Sequence, residues 1–375
     1  MTAKRVFVDY MPVLSLLLYV FFDRFPGNGT IPLLAATAFS LPSLLYYLFK
    51  IKQPHQVKSF AILCFLGCLL LFFIGPINRR DIFVFVGALS VAIYSVFHLR
   101  ILKWISFIAV AYTLLFLAEK IFIQQIDVNL LYETSGQSKN YPGFLLVVWT
   151  ILYSFLKIIL DKRTSIVFPA LAIIIALFLD GRASLGVILA LFILNFYSYN
   201  RKFSIISVLI ICGAFLYYFD NIMELYQVSA FSEKGFESSR FDMWSAYLDN
   251  VNVLNIFIGV DTSKVPPIAA YSGNPHNSFL FYHMSAGLFG LLGLLYLCYK
   301  STLTYFSLKQ YLLLFYVLLL IFRISFDSCL FWQTDFIVYF LLVYSFYPSQ
   351  ITDLQIKRIR IPLIFKPIEK IINLL

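Results

Sequence analysis

Long apolar runs, spaced by short polar stretches, limit this chain to very few folds. Twelve runs are long enough, or nearly so, to cross the roughly 30 Å of a bilayer's hydrocarbon. They lie at about 6–22, 30–49, 59–77, 82–97, 104–123, 143–160, 165–180, 184–199, 203–219, 277–299, 311–326 and 329–346. Backbone amides in hydrocarbon must bond within their own segment, so each run is expected to be a helix. Composition agrees: of 375 residues, 61% are hydrophobic and only 13% charged, about half the charge of a soluble protein. The expected fold is an all-α integral membrane protein with about 12 transmembrane helices. Residues 1–346 form one unit, because spans joined by short loops cannot bury themselves separately. The first run holds Asp9 and Pro12 and lacks a small-residue cleavage site, so it reads as a retained span. The five cysteines, Cys64, Cys68, Cys212, Cys298 and Cys329, sit in or beside apolar runs and read as small packing residues.

Charge placement sets the orientation. With the N-terminus inside, the inner segments hold most of the 29 Lys and Arg residues, among them Lys50, Arg100, Lys103, Lys157, Lys162, Arg163, Lys300 and Lys309. The net charge of +10 is then mainly a positive-inside signal whose partner is anionic lipid, not nucleic acid. Both termini are expected in the cytoplasm. Residues 347–375 form a basic tail in which Ile368, Ile371, Ile372 and Leu375 recur at helical spacing. It reads as an amphipathic helix on the inner leaflet, with a frayed tail as the rival reading.

Inner loops are too short to fold a catalytic domain. Two outer loops, about 124–142 and 220–276, are larger, so chemistry on water-soluble groups belongs outside. Within the second loop, Phe241, Trp244, Leu248, Val251 and Ile256 predict an amphipathic helix along the membrane surface, with Ser238 or Ser239 as its cap. The stretch GNPHN predicts a turn that opens the tenth span, with Asn274 or Asn277 capping it.

Arginines at the outer ends of spans run against the positive-inside rule. Arg79, Arg80, Arg182, Arg240 and Arg323 are such residues. The guanidinium fork holds phosphate at two points and stays charged, which suits a diphosphate headgroup whose lipid tail lies in the bilayer. The rival role is a phospholipid anchor or an ion pair, with Asp81, Asp180 and Asp327 as nearby partners. His276 stands in the turn at the outer mouth, where an imidazole can act as a base or hydrogen-bond donor near neutral pH; a structural loop histidine is the rival reading. His283, seven residues on, reads as a packing residue inside the bundle. Asp335 lies within the last apolar run, where a carboxylate is costly unless paired or wet. No Asp-x-Asp, Walker loop, His-Glu-x-x-His or Gly-x-Ser-x-Gly is present.

Taken together, DGRASLG at one span end, SRFDMWSAYLDN followed by NIFIGVD, and PHNSFL followed by GLFGLLGLL resemble the O-antigen polymerase and ligase superfamily. The similarity in pattern covers roughly residues 165–300. It implies a polytopic bundle similar to GT-C glycosyltransferases, with a periplasmic loop subdomain before the tenth span, in the bacterial inner membrane. It implies transfer of glycan from undecaprenyl diphosphate at the periplasmic face, without metal, cofactor or nucleotide sugar. By position, Arg182 and Arg240 would bind the diphosphate and His276 would be catalytic. Asn277 would orient that histidine or cap the helix, and Arg323 would support the site. A polymerase, which extends another lipid-linked repeat unit in surface polysaccharide synthesis, is the expected member. A ligase acting on lipid A-core is the alternative, and a transporter a more distant one. A chain-length regulator is the expected protein partner.

Overall fold

A computed structural model describes residues 79–134, 140–179, 181–199, 239–271, 273–326 and 335–352. The expected spans at 6–22, 30–49, 59–77 and 203–219, the start of the second outer loop and the basic tail from 353 onward lie outside the described residues. So do Asp180, Asp327, Ser238 and every cysteine but Cys298, which is buried and unbridged.

The described residues are helical throughout, with no strand. In chain order the helices are α1 (Arg79–Ser95), α2 (Leu99–Ala118, prolonged by a π-helical turn, Glu119–Ile123), α3 (Val128–Thr134), α4 (Tyr141–Asp161), α5 (Val167–Ala176) and α6 (Arg182–Tyr199). After them come α7 (Ser239–Asp249), α8 (Val253–Ile258), α9 (Pro266–Ala269), α10 (Ser278–Ser307), α11 (Tyr311–Ser325), α12 (Asp335–Val343, running into a 3-10 turn, Tyr344–Phe346) and α13 (Pro348–Thr352). Among the described residues, four helices are long and apolar enough to cross a membrane: α2 with its π turn, α4, α6 and α10. Shorter apolar helices fill the places of the expected runs at 82–97, 165–180, 311–326 and 329–346. Of these, α5 spans only Val167–Ala176, because the chain turns at Leu177–Leu179 before α6.

A helix that is apolar on every side belongs in the middle of a bundle. α4 is that helix: its residues from Tyr141 to Leu156 are all buried, against α2, α5, α6, α11 and α12. By contrast α6 and α10 leave much of their apolar surface uncovered, with Phe289, Leu292 and Tyr299 exposed. In water such faces would be a liability; lipid covers them at no cost.

One polar cluster crosses this core. The Asn195 amide on α6 donates to the Ser165 carbonyl at 2.7 Å and to Ser154 Oγ on α4 at 3.4 Å, and its oxygen accepts from the Tyr316 hydroxyl on α11. All its side chains are buried, so removing one member strands the others. Asn195→Ala is expected to lower stability by about 1–3 kcal/mol. Tyr316→Phe in the same chain should return part of that loss, because one orphaned hydroxyl is removed. Thermal unfolding of the single and double variants checks this coupling.

The bundle has two distinct ends. At one, Lys103 on α2 pairs with Asp161 at the end of α4 (2.8 Å), near Lys157, Lys162 and Arg163. At the other end stand the starts of α4, α6 and α10 and the end of α11. Arg323 there is only 1% exposed: its Nε donates to Ser184 Oγ at 3.2 Å and its guanidinium lies 5.3 Å from the centre of the Phe144 ring. Gly143 makes room for this contact, since a Cβ at that position would stand 2.8 Å from Ser184 Oγ.

Candidate functional site

Residues 239–276 do not trail from the bundle as a loop. They fold into a cap with its own small core of Met243, Tyr247, Val260, Val265 and Ile268, packed on Leu280 and Met284 of α10. The cap seats through two glycines. Gly259 (φ 90°, ψ 168°) ends α8, and Gly287 (φ 61°, ψ −166°) breaks α10. Both backbones lie in a region open only to glycine. They also meet back to back: a Cβ at Gly259 would stand 2.2 Å from the Met284 carbonyl oxygen, and one at Gly287 would stand 1.9 Å from that of Phe257.

His283 completes the seat. Its Nε2 lies 2.9 Å from the Ile256 carbonyl oxygen, which can only accept, so that nitrogen carries a proton. In the neutral ring Nδ1 then accepts from the Tyr247 hydroxyl at 2.7 Å. Burial pushes the Tyr247 hydroxyl well above its ordinary range, partly offset by its bond to the Val260 backbone, so it stays a donor. His283 therefore joins α7 and α8 to α10. It is buried as expected, and its work is directional bonding as much as packing.

The amphipathic helix appears as α7, but its inward face differs from the expected one. Met243 and Tyr247 are buried, whereas Phe241 (64% exposed) and Leu248 (61%) point outward. Hydrophobicity alone ranks Phe and Leu above Tyr; the hydrogen bond to His283 turns Tyr247 inward and fixes the helix rotation. The helix also stops at Asp249, and α8 starts anew behind Asn252, whose side chain accepts from the Asn255 amide at 2.9 Å. Ile256 accordingly belongs to a different helix from Trp244.

The expected turn is present at GNPHN. Gly273 has φ 79° and His276 has φ 49°, a left-handed conformation uncommon for a residue with a side chain. The Asn274 side chain holds it by accepting the His276 amide at 2.8 Å. Asn277 caps α10, with its oxygen accepting from the amides of Phe279 (2.9 Å) and Leu280 (3.1 Å). Of the two roles expected for Asn277, capping is the one its side-chain oxygen performs. The half-buried His276 ring stands edge-on to Tyr271, with centroids 5.8 Å apart.

Trp244 draws the separate pieces together. Its Nε1 donates to the Pro275 carbonyl at 2.8 Å, immediately before His276. Its ring lies 6.5 Å from Phe326, at the end of the helix that carries Arg323. Arg240, half-buried, is one turn before Trp244 on the same side of α7. Arg323 in turn meets Ser184, two residues after Arg182. One end of the bundle thus collects Arg240, His276, Asn277, Arg323 and Arg182. They are not equivalent: Arg323 is enclosed in the bundle, and Arg182 is exposed. Arg79 and Arg80 are the first residues of α1. Asp335 is the first described residue of α12 and is fully buried.

Sequence reasoning passed over Ser184, Phe326 and Gly287. Gly287 alone left a trace, in the glycine spacing of GLFGLLGLL. Trp244→Phe should keep the ring contact with Phe326 and lose the bond to Pro275. The expected loss is about 1 kcal/mol, with faster proteolysis around residues 271–277 in a timed digest.

No protein-family model, curated protein or solved structure matches this chain.

Proposed function

We propose that this chain is an O-antigen polymerase, a glycosyltransferase that moves glycan from undecaprenyl diphosphate onto another lipid-linked repeat unit at the periplasmic face of the bacterial inner membrane. The observation that carries the reading is the position of Trp244. It holds the Arg240 helix against the His276 turn and against the end of the Arg323 helix, so a base and fixed positive charge share one end of the bundle. Lys103, Lys157, Lys162 and Arg163 gather at the opposite end, which the positive-inside rule assigns to the cytoplasm.

In the proposed reaction Arg240 and Arg182 hold the diphosphate and offset its growing charge as it leaves. A ring nitrogen of His276 takes the proton from the acceptor sugar hydroxyl. The hydroxyl oxygen attacks the anomeric carbon opposite the diphosphate. The bond from that carbon to the phosphate oxygen breaks, and its electron pair departs with undecaprenyl diphosphate. One displacement inverts the anomeric centre. Arg323, buried and bonded to Ser184, positions the start of α6 and so acts through Arg182. The role needs no metal, and a chain-length regulator would set how far the polymer grows.

Reconstitution with purified lipid-linked repeat unit tests the assignment. A ladder of polymer from that substrate alone supports the polymerase. Product only after lipid A-core is added assigns a ligase that uses the same donor. Vesicle uptake without new glycosidic bonds assigns a carrier and removes the catalytic reading.

A further inference from the structure

The cap carries an apolar surface that its own small core does not cover. On α8, Val253 is 77% exposed and Leu254 65%, and Phe257 is exposed as well. No charged residue stands between Asp249 and Asp261. Facing water, such a stretch would be a liability. Its level along α10 gives it a different surrounding. α8 and the glycine that ends it meet α10 at three places: the Ile256 carbonyl at His283, Gly259 at the Met284 carbonyl, and the Phe257 carbonyl at Gly287. α10 is long and apolar enough to cross a membrane, and Lys300 is its one Asp, Glu, Lys or Arg residue. A lysine in such a helix marks an edge of the hydrocarbon. The hydrocarbon is about 30 Å thick and a helix rises about 1.5 Å per residue, so it reaches about 20 residues back from Lys300, to the level of Leu280. His283, Met284 and Gly287 all fall within that length, about 20–26 Å from Lys300. Beyond them on α10, Phe289 and Leu292 are likewise exposed.

The polar groups of α8 are arranged for a place without water. In hydrocarbon they must bond within the protein. The Asn252 side chain accepts the Asn255 amide, and the Asn255 side chain donates to the Asn250 carbonyl at 3.2 Å. The Ile256 amide donates to the Asn252 carbonyl and the Gly259 amide to that of Asn255. The last carbonyls of a helix have no partner within it, and a helix on a wet surface leaves them to water. Here a buried imidazole from α10, His283, donates to the Ile256 carbonyl at 2.9 Å. We propose that α8 is a re-entrant segment. It dips from the cap into the adjoining leaflet and sets Val253, Leu254 and Phe257 among lipid acyl chains. The occupant of this face is therefore the bilayer, continuous with the lipid that covers α10. The proposal concerns where the cap stands and does not depend on the glycosyltransferase reading.

The test uses tryptophan fluorescence of the full chain in phosphatidylcholine nanodiscs, with wild-type emission subtracted. Leu254→Trp and Val253→Trp probe α8 at two exposed positions, so that failure of one to fold leaves the other. Phe289→Trp is the standard for a lipid-facing position, and Lys264→Trp, at an exposed residue of the cap, is the standard for water. Phosphatidylcholine with brominated acyl chains quenches from the hydrocarbon, and iodide quenches from water. Emission added by Leu254→Trp and Val253→Trp should fall with brominated chains as far as that added by Phe289→Trp, and should not respond to iodide. Lys264→Trp should behave in the opposite way. Quenching of the α8 probes by iodide would place the segment in water and overturn the proposal. Quenching by neither agent would mean that protein covers this face, from a second copy or another segment of the chain, and would overturn it equally.

Discussion

Gly287→Ala should unseat the cap from the bundle. The residue has φ 61° and ψ −166°, in a region that a side chain enters only at a cost of about 1–3 kcal/mol. An added Cβ would also lie 1.9 Å from the Phe257 carbonyl oxygen, so α8 must move away. That motion breaks the bond from His283 to Ile256 and exposes Met284 and Leu280, which pack on the cap's own core. A total loss of roughly 4 kcal/mol or more is expected, the range reserved for strained backbone and broken buried contacts. Gly259→Ala should do the same from the other side. The main core is built on α4 and does not include the cap residues, so the bundle helices should remain. Limited proteolysis therefore reads the effect better than helical content. Cleavage within 250–275 should appear early in both variants and late in wild type. Equal digestion rates would mean that the glycine contact does not hold the cap.

His276→Ala should lower turnover by about a hundredfold to ten-thousandfold, the usual contribution of a general base. Protein level and thermal midpoint should stay near wild type, because the turn is held by the bond from the His276 backbone amide to Asn274, which the substitution keeps. Arg240→Lys should also cost most of the activity, since a point charge replaces a two-point fork. These two substitutions separate chemistry from architecture. Activity of the reconstituted protein on lipid-linked repeat unit is the measurement, with the length of surface polysaccharide on gels as its cellular counterpart. Full-length glycan from both variants at normal protein level would remove His276 and Arg240 from the reaction.

Much of this was legible along the chain. The apolar runs at 143–160 and 184–199 became α4 and α6 almost residue for residue. The GNPHN turn and the Asn277 cap also followed from local chemistry, because a turn or cap is decided by residues a few positions apart. The rotation of α7 was not legible. Phe241 and Leu248 look like the inward residues until His283, distant in sequence, supplies a partner for Tyr247. Gly287 was hidden for a similar reason: a glycine inside a long apolar run gives no sign of which backbone will approach it. Ser184 was passed over because its importance lies in Arg323, from another helix.

By itself the amino-acid order determined that the described residues are helical and suited to lipid, the extent of α4 and α6, and the turn and cap that open α10. Those properties depend on hydrophobicity and short-range bonding, which each segment carries within itself. Only the tertiary structure decided that Trp244 would tie Pro275 to Phe326, and that two glycines would let the cap rest on a broken α10. Such contacts depend on the relative position and rotation of whole helices, and directional bonds between distant residues set both.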